Sequence, residues 1–247
     1  MDSLFYEIFE GLPRLGPGSD TATQKALQLI HFMDNPLTIL DIGCGTGAQT
    51  FQLAKKLNGK IIAVDNYQPY LDEIQSKCSA EKYKAEIEYL CLDMTDLKFK
   101  EESIDLVWAE GSIYIMGFQK GLDLIEPMIK KGGYAVFSEL NYLKNDPPDE
   151  LMNFFHEEFP DMLTIGENID LVKKSSLDLV NYFELDKIDH RTPYYEPLQQ
   201  NVTRYTQKYL ENDKARLMIN SIQKEIDLYI KYADYYGYVF YVMQKLY

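Results

Sequence analysis

The sequence has few of the features that mark secreted or membrane-spanning proteins. Its 247 residues include only three cysteines, Cys44, Cys78 and Cys91, an odd number without the spacing of a metal or redox site. Reduced thiols of this kind indicate the cytoplasm. No apolar run approaches the roughly 18 residues that a membrane-spanning helix needs, and the first residues have no apolar stretch typical of a secretory signal. We therefore expect a cytoplasmic protein without a membrane span.

Basic residues are also scarce. The chain has 25 Lys and Arg against 39 Asp and Glu, which gives a formal net charge of −14. Proteins that bind a phosphate backbone usually meet it with a basic face. The charge therefore argues against nucleic acid as a substrate or partner and leaves a small molecule as the expected substrate.

Sequence signatures of hydrolytic and metal sites are missing as well. No G-x-S-x-G pattern of a hydrolase and no G-x-x-x-x-G-K-[ST] pattern of a nucleotide hydrolase is present. The three histidines, His31, His156 and His190, lack metal-ligand spacing. We expect no metal.

Short apolar runs alternate with helical patterns from residue 37 onward. This alternation is typical of an α/β protein with a Rossmann-like, doubly wound and mostly parallel sheet, covered by helices on both faces. The length suits one domain with insertions, residues 1–247. The predicted strands of its core, residues 37–140, are 37–42, 60–65, 86–92, 103–109 and 133–140.

Additions are predicted on both sides of this core. Residues 1–34 carry two amphipathic helical patterns joined by a loop rich in glycine and proline, Gly11–Asp20, which we interpret as a lid. Residues 141–247 contain a predicted helix near 149–158, a predicted strand near 179–188 and two long helical stretches, which form an insertion on the substrate side. The closing run YVFYVMQK is predicted to be a buried, antiparallel strand.

Three glycines follow the first predicted strand: Gly43, Gly45 and Gly47. Glycines in a turn between strand and helix let the backbone approach a ligand closely, so the turn predicts a nucleotide site. Gly43-x-Gly45-x-x-Ala48 also fits the relaxed dinucleotide pattern, which keeps an NAD-dependent oxidoreductase as an alternative. Asp41 argues against it, because a carboxylate there would face a pyrophosphate at the helix N-terminus. A ligand with an ammonium and a sulfonium group, such as S-adenosylmethionine (SAM), is favoured by the same carboxylate.

The segment Asp41-Ile42-Gly43-Cys44-Gly45-Thr46-Gly47 resembles the D-x-G-x-G-x-G signature of class I SAM-dependent methyltransferases. The resemblance implies that Asp41 helps to hold the methionine amine, directly or through water. It also implies that the backbone from Gly43 to Gly47, including Cys44 and Thr46, lines the methionyl and ribose portion.

Two further acids occupy positions that the resemblance implies for the cofactor. Asp65 closes the second strand 22 residues after the first glycine, and a carboxylate there can accept both ribose hydroxyl protons. Asp93, after the third strand, would accept from the adenine amino group. The Met94 backbone N–H would lie at the ring, with Asn66 or Tyr67 covering one face.

In this superfamily, the loop after the fourth strand runs close to the methyl group that is transferred. The resemblance therefore makes Glu110 and Tyr114 candidates to face the substrate and implies that Ala109 to Gly111 line the cofactor by their backbone. Trp108, in the same segment, is interpreted as core. The full set of candidates in this stretch is Trp108, Ala109, Glu110, Gly111, Ser112 and Tyr114.

Other candidate residues lie outside these motifs. Glu139, after the fifth strand, is a candidate general base or a loop cap. His190 is a further catalytic candidate. Tyr194 and Tyr195, which follow it, are candidates for an aromatic wall around a planar or cationic substrate, with core or interface packing as the alternative.

The predicted lid contributes two candidates of its own. Arg14 can pair with a carboxylate of cofactor or substrate, and Ser19 is a candidate helix cap and cofactor contact.

Whole-chain features, among them the PRLGPGSD loop and the closing GYVFYVMQK, resemble a bacterial branch of small-molecule methyltransferases grouped with menaquinone and ubiquinone biosynthesis C-methyltransferases. The quinone substrate is not carried over, because the substrate-side sequence shows no chemical signature for it. The resemblance implies methyl transfer from SAM to a small molecule by in-line displacement, with S-adenosylhomocysteine (SAH) as product. A SAM-binding sensor or scaffold is the other alternative, and a homodimer is a further possibility.

Overall fold

The computed structural model describes residues 3–32, 36–78 and 82–246. Its strands form one eight-stranded sheet in the order β3-β2-β1-β4-β5-β8-β7, with the short β6 beside β5. The strands are β1 (Leu37–Ile42), β2 (Gly59–Asp65), β3 (Ala85–Cys91), β4 (Ile104–Glu110), β5 (Ile129–Tyr142), β6 (Leu163–Thr164), β7 (Asp178–Glu184) and β8 (Tyr236–Gln244).

The direction of the strands matches the sequence-based expectation. Strands β1 to β5 pair in parallel with their neighbours, whereas β8 runs antiparallel to both β5 and β7. The predicted Rossmann-like sheet with an antiparallel last strand is confirmed. The strand order reverses between β1 and β4, and the crevice at the carboxyl ends of such strands is where open α/β sheets bind ligands.

Helices cover both faces of the sheet. They are α1 (Ser3–Phe9), α2 (Asp20–Gln28), α3 (Ala48–Lys56), α4 (Gln68–Cys78), α5 (Phe118–Ile125), α6 (Asp149–Glu158), α7 (Ile165–Lys174), α8 (Lys187–His190), α9 (Glu196–Lys208) and α10 (Asp213–Tyr232). Short 3-10 turns occupy Met94–Asp96 and Ile113–Ile115, and a π-helical turn occupies Arg191–Tyr195. None of the helices in the described ranges is long and apolar enough to cross a membrane.

Apolar side chains cover both faces of the sheet. Successive residues of a strand point to opposite faces, so Trp108 and Phe240 enter one buried cluster while Phe137 and Tyr241 enter the other. Burial on both faces explains why the strands read as continuous apolar runs.

The structure differs from the sequence-based elements at the ends of elements and in elements that were not predicted. Strand β5 extends to Ile129 and Tyr142 beyond the predicted 133–140, and β7 ends at Glu184 because the chain turns into α8. The unpredicted α7 has a capping box in which Thr164 and Glu167 bond each other's backbone, a signal readable as T-x-x-E. The predicted N-terminal region 1–34 is described from residue 3 to residue 32.

Candidate active site

The glycine turn lies between β1 and α3, at the point where the strand order reverses. Gly43, Gly45 and Gly47 have φ angles of +70°, +53° and +89°, which favour glycine. The Gly43 N–H donates to the Val64 carbonyl at 2.8 Å. A Cβ at Gly43 would lie only 2.5 Å from Ser112 Cβ. The turn therefore approaches the loop after β4 at a distance that only glycine permits.

Asp41 lies behind this turn rather than in the cleft. Its side chain is fully buried and accepts hydrogen bonds from Thr50 Oγ1 at 2.6 Å and Gln49 Nε2 at 3.2 Å. Burial raises the pKa of Asp41 to about 7, against the opposing effect of those two hydrogen bonds. Gln49 lines the cleft and Asp41 does not. Asp41 is therefore not placed to contact a ligand in the cleft directly. Gln49, which the sequence analysis missed, lines the cleft there.

Asp65 lines the cleft at the carboxyl end of β2. Its carboxylate accepts from the backbone N–H groups of Gly45 at 2.9 Å and Tyr67 at 3.0 Å. Burial raises the pKa of Asp65, while these N–H donors oppose the rise. The second strand therefore holds this carboxylate in one orientation beside the glycine turn, next to Asn66, which also lines the cleft.

Asp93 lines the same cleft after β3, together with Met94. Its Oδ1 accepts from the Thr95 N–H at 2.8 Å and from Thr95 Oγ1 at 2.6 Å, and these bonds lower its pKa. Tyr67 is not among the residues that line the cleft; its ring stacks on that of Tyr6, with centroids 3.5 Å apart. The structure thus brings three of the four predicted adenine-side residues into the cleft.

The N-terminal loop closes one side of the cleft. Arg14 is 7% exposed, and its guanidinium donates to Glu110 Oε2 at 2.9 Å and Asp20 Oδ1 at 2.9 Å. The other oxygen of Glu110 accepts from Thr23 Oγ1 at 2.7 Å and Trp108 Nε1 at 2.9 Å. Arg14 and Glu110 both line the cleft, yet each is engaged by the protein itself. Trp108 is core, as interpreted.

Apolar side chains of α1 and the loop form the roof of the cleft. Phe5, Phe9 and Leu15 line it, and a Cβ at Gly45 would lie 2.9 Å from Leu15 Cδ1. The N-terminal region was interpreted as a lid, and Phe5 and Phe9 of its first helix lie at the cleft. Ser19 caps α2 by accepting from the Ala22 N–H at 3.0 Å, and it does not line the cleft.

The residues after β4 line the side of the cleft opposite the adenine acids. Gly111, Ser112 and Tyr114 all line it. Ser112 Oγ donates to the Ile42 carbonyl at 2.7 Å, and the Tyr114 ring packs edge-on against Phe159 at 5.1 Å. Glu110 and Tyr114 were the two candidates to face the substrate. Glu110 is bonded within the protein, and Tyr114 remains open to the cleft.

Two acids lie within electrostatic range of Tyr114, the buried Glu139 and the half-buried Glu225. Glu139 is 5% exposed, its Oε2 has no hydrogen-bond partner, and burial raises its pKa to about 8. Glu225 accepts from the Tyr195 hydroxyl at 3.0 Å, and desolvation raises its pKa to about 7. The sequence analysis missed Glu225, because a single acid next to Ile226 on an amphipathic helix resembles a residue at the edge of its polar face.

His190 supports the backbone rather than the cleft. Its Nδ1 lies 3.2 Å from the Asp186 carbonyl, and its Nε2 accepts from the Tyr238 N–H at 3.1 Å. Burial lowers the pKa of His190 to about 4. With both ring nitrogens bonded to backbone, the predicted catalytic candidate has a structural role. Tyr194 and Tyr195 are buried in the core, as the packing alternative expected.

The charges of the cleft suit a cationic ligand with hydroxyl groups. Asp65, Asp93 and Glu110 supply carboxylates, whereas Arg14, already paired with Glu110, is the basic residue among those that line it. A pyrophosphate would meet unfavourable charges here. The described residues contain no group of three or more His, Cys, Asp or Glu that could hold a metal ion.

The fold and the residues of the cleft agree with those of class I SAM-dependent methyltransferases. Residues 39–133, which include the glycine turn, Asp65 and Asp93, match the family model described as a methyltransferase domain. The predicted resemblance is confirmed for this segment.

Similar sequences cover part of the chain. A sterol 24-C-methyltransferase of Neurospora crassa is 24% identical over 71% of this chain and 48% of its own length. A carboxy-S-adenosyl-L-methionine synthase of Shewanella loihica is 26% identical over 58% of this chain and 60% of its own. The chain therefore spans about half to three fifths of the length of these curated relatives.

Solved structures match almost the whole chain in fold. A SAM-dependent methyltransferase from Geobacter sulfurreducens, in complex with SAH, has a TM-score of 0.81 at 15% identity and covers 99% of this chain and 98% of its own. A (4+2)-cyclase has a TM-score of 0.75 at 14% identity and covers 98% of this chain and 91% of its own. These likenesses establish the fold.

Proposed function

We propose that this protein is a SAM-dependent methyltransferase that methylates a small-molecule acceptor and releases SAH. The observation that carries the proposal is the meeting of the glycine turn, Asp65 and Asp93 in one cleft whose opposite side is Tyr114. The methyltransferase-domain match of residues 39–133 agrees with it. The methyltransferase class and the SAM cofactor also agree with the similar proteins described above.

The residues of the cleft fit the parts of SAM. Each carboxylate oxygen has more than one lone pair, so Asp65 can accept from ribose hydroxyls while it keeps its bonds to Gly45 and Tyr67. Asp93 uses Oδ1 for Thr95, which leaves Oδ2 for an adenine amino group. When SAM is bound, its sulfonium makes the methyl group electrophilic.

Positioning and exclusion of water are the tasks left to the protein. An in-line displacement needs the acceptor and the methyl group aligned. Holding them in this alignment can lower the activation free energy by several kcal/mol. Phe5, Phe9 and Leu15 provide an apolar roof that keeps water from the reacting atoms. Tyr114 faces the space left for the acceptor.

Calorimetric titration with SAM, SAH and NAD tests the cofactor. Binding of SAM and SAH without NAD supports the proposal, and binding of NAD alone overturns it in favour of the oxidoreductase alternative. Incubation with methyl-labelled SAM and a metabolite extract then tests transfer, with label in a small molecule as the expected result.

SAM binding without transfer to any extract component would favour a second candidate, a SAM-binding protein that catalyses another reaction or none. Names among the similar proteins motivate this candidate, because one is a (4+2)-cyclase and one a carboxy-S-adenosyl-L-methionine synthase. The cytoplasmic location, the lack of nucleic-acid partners and the possible homodimer stay predictions from the sequence.

A further inference from the structure

The two ends of the cleft are separated by the order of the strands. Because the sheet runs β3-β2-β1-β4-β5-β8, residues after β2 and β3 line one end, and residues after β4 line the other. Asp65 and Asp93 lie at the first end, which the proposed function assigns to the cofactor. Tyr114 and Ile115, in the turn after β4, line the second end. This second end is the part of the cleft left for the methyl acceptor.

Helix α1 contacts both ends of the cleft. Tyr6 stacks on Tyr67, just after β2, with ring centroids 3.5 Å apart. Phe9 stacks on Tyr194 at 6.4 Å, and Tyr194 begins a chain of ring contacts that reaches Tyr236 of β8. The α1 side chains that line the cleft on the β8 side therefore complete the second end. We call this set the acceptor end of the cleft: Phe5, Phe9, Tyr114 and Ile115.

The acceptor end is aromatic and apolar from its wall to its mouth. Phe5 stacks on Phe9 with ring centroids 4.5 Å apart, and Phe9 is buried. Ile115 lines the cleft although 53% of it is exposed. An exposed apolar side chain beside a cleft is typical of a ligand-binding surface. The mouth and the wall of the acceptor end therefore suit an apolar ligand.

The charged residues of the cleft are satisfied away from the acceptor end. Among the described residues that line the cleft, they are Arg14, Asp65, Asp93 and Glu110. Arg14 and Glu110 bond each other at 2.9 Å, and their side chains are only 8% and 4% exposed. The second oxygen of Glu110 accepts two further hydrogen bonds. The described residues of the acceptor end thus offer no unpaired charge to a ligand.

Two acids within electrostatic range of Tyr114 do not alter this result. Neither Glu139 nor Glu225 lines the cleft. Desolvation raises their pKa values to about 8 and about 7, which keeps much of each population uncharged near neutral pH. A charged ligand at the acceptor end would therefore lose its hydration without gaining a charged partner, which is costly.

The acceptor end has one open polar group, the hydroxyl of Tyr114. The ring of Tyr114 packs edge-on against Phe159, and no other described residue forms a hydrogen bond with its hydroxyl. A tyrosine hydroxyl is protonated near neutral pH. It can therefore donate to an uncharged oxygen or nitrogen of a ligand.

We propose that the methyl acceptor is an uncharged molecule that places a flat ring in the acceptor end and accepts a hydrogen bond from Tyr114. Aromatic side chains pack favourably against flat rings, and the hydroxyl fixes the orientation of the ring. This inference rests on the proposed methyltransferase function. It narrows the acceptor from any small molecule to a neutral one that carries a ring.

The test uses calorimetry on protein saturated with SAH and three probes with the same ring system. Naphthamide is uncharged, naphthoate is an anion, and naphthylmethylammonium is a cation. We expect naphthamide to bind about tenfold or more tightly than either charged probe. Tyr114→Phe should weaken naphthamide binding by about threefold to tenfold while SAH affinity stays unchanged. The matched control Tyr182→Phe, at an exposed position on β7, should bind naphthamide as wild type does.

A charge placed at the mouth tests the position of the ring. Ile115 is exposed, so Ile115→Glu leaves the core intact. It should lower the preference for naphthamide over naphthylmethylammonium by about fivefold, because the new carboxylate attracts the cation. The matched control Ile230→Glu, on α10 outside the cleft and 75% exposed, should keep the wild-type preference.

The outcomes separate this inference from the function on which it rests. If wild-type protein binds SAH but binds naphthamide no more tightly than the charged probes, or not at all, the neutral acceptor is wrong and the methyltransferase proposal stands. Unchanged naphthamide affinity in Tyr114→Phe, or an unchanged preference in Ile115→Glu, would also overturn the assigned acceptor end. Failure of wild-type protein to bind SAH or SAM would overturn both proposals.

Discussion

The cofactor end and the acceptor end of the cleft differ in how their acids are satisfied. Asp41, Asp65 and Asp93 each accept at least two hydrogen bonds from the protein, in part from backbone N–H groups. At the acceptor end, Tyr114 lines the cleft and two acids lie within electrostatic range of it. Glu139 has an oxygen without a partner, and Glu225 has one bond, from a tyrosine hydroxyl.

This difference shows which half of the cleft is complete without a ligand. Donors and acceptors that are already oriented lose little freedom on binding, so the cofactor end is preorganised. At the acceptor end, desolvation raises the pKa values of both acids, and Glu139 keeps an unpaired oxygen. We therefore expect substitutions at the cofactor end to change SAM affinity, and substitutions of these two acids to change stability.

Gly43→Ala should have the largest effect on the preorganised end. The added Cβ would lie 2.5 Å from Ser112 Cβ, and φ of +70° is strained for alanine. We expect no measurable SAM binding by calorimetry. Gly132→Ala is the matched control, because Gly132 has φ of +78° and open space around its Cβ position. It should lower stability while SAM affinity is kept, and normal SAM binding by Gly43→Ala would contradict the assigned turn.

Glu139→Gln should change how stability depends on pH. Burial raises the pKa of Glu139 from 4.5 to about 8, so the folded protein holds this proton where the unfolded chain has released it. The free energy of unfolding therefore falls as pH rises through this window, by at most about 1.4 kcal/mol per pH unit for one group. Urea unfolding at several pH values should give a flatter profile for Glu139→Gln, and the wild-type profile for Glu157→Gln, at an exposed position on α6. Identical profiles for wild type and Glu139→Gln would show that the buried charge has no such cost.

Asp65→Asn should have a smaller effect, on the cofactor end alone. The amide keeps the shape of the side chain but loses its charge and one acceptor, and we expect SAM affinity to weaken by about 1–3 kcal/mol. Asp72→Asn, at an exposed position on α4, is the control and should bind SAM as wild type does. Unchanged affinity in folded Asp65→Asn would remove Asp65 from the site.

The sequence predicted the cofactor end better than the acceptor end for a physical reason. Strand β1 was predicted at both ends, because an apolar run is bounded by Pro36 and Gly43. Asp65 and Asp93 both line the cleft, because the ends of adjacent parallel strands meet at one edge of the sheet. The positions of such residues follow from the local sequence pattern and from the strand arrangement that this pattern predicts.

Side chains from distant elements were not predictable in this way. Asp41 was expected to hold the methionine amine directly or through water, and in the structure its carboxylate is bonded to Thr50 and Gln49 of the next helix. Glu225 lies on α10, more than a hundred residues after Tyr114, and only the packing of α10 brings the two together. Periodicity indicates which face of a helix is apolar, not which partner that face meets.

The roof of the cleft is the element that links the two ends. Leu15 covers the glycine turn, while Phe9 stacks on Tyr194 in the core beside the acceptor end. Ten residues of the connecting segment, 11–20, include three glycines and two prolines, and such a segment is held by side-chain contacts rather than by helix or sheet bonds. Arg14 makes its main polar contacts, while Leu12 and Leu15 pack against the core.

Ligand binding should therefore protect the roof, with the smallest effect of the four. The bond after Arg14 is a trypsin site, and Arg14 is buried, so trypsin can cut it only when the roof opens. Cutting then reports the open population. If SAM or SAH stabilises the closed roof, saturating ligand should slow this cut by about tenfold, while cutting after exposed Lys174 stays constant. Equal rates at Arg14 with and without ligand would show that the roof is fixed packing, and the two ends would then be independent.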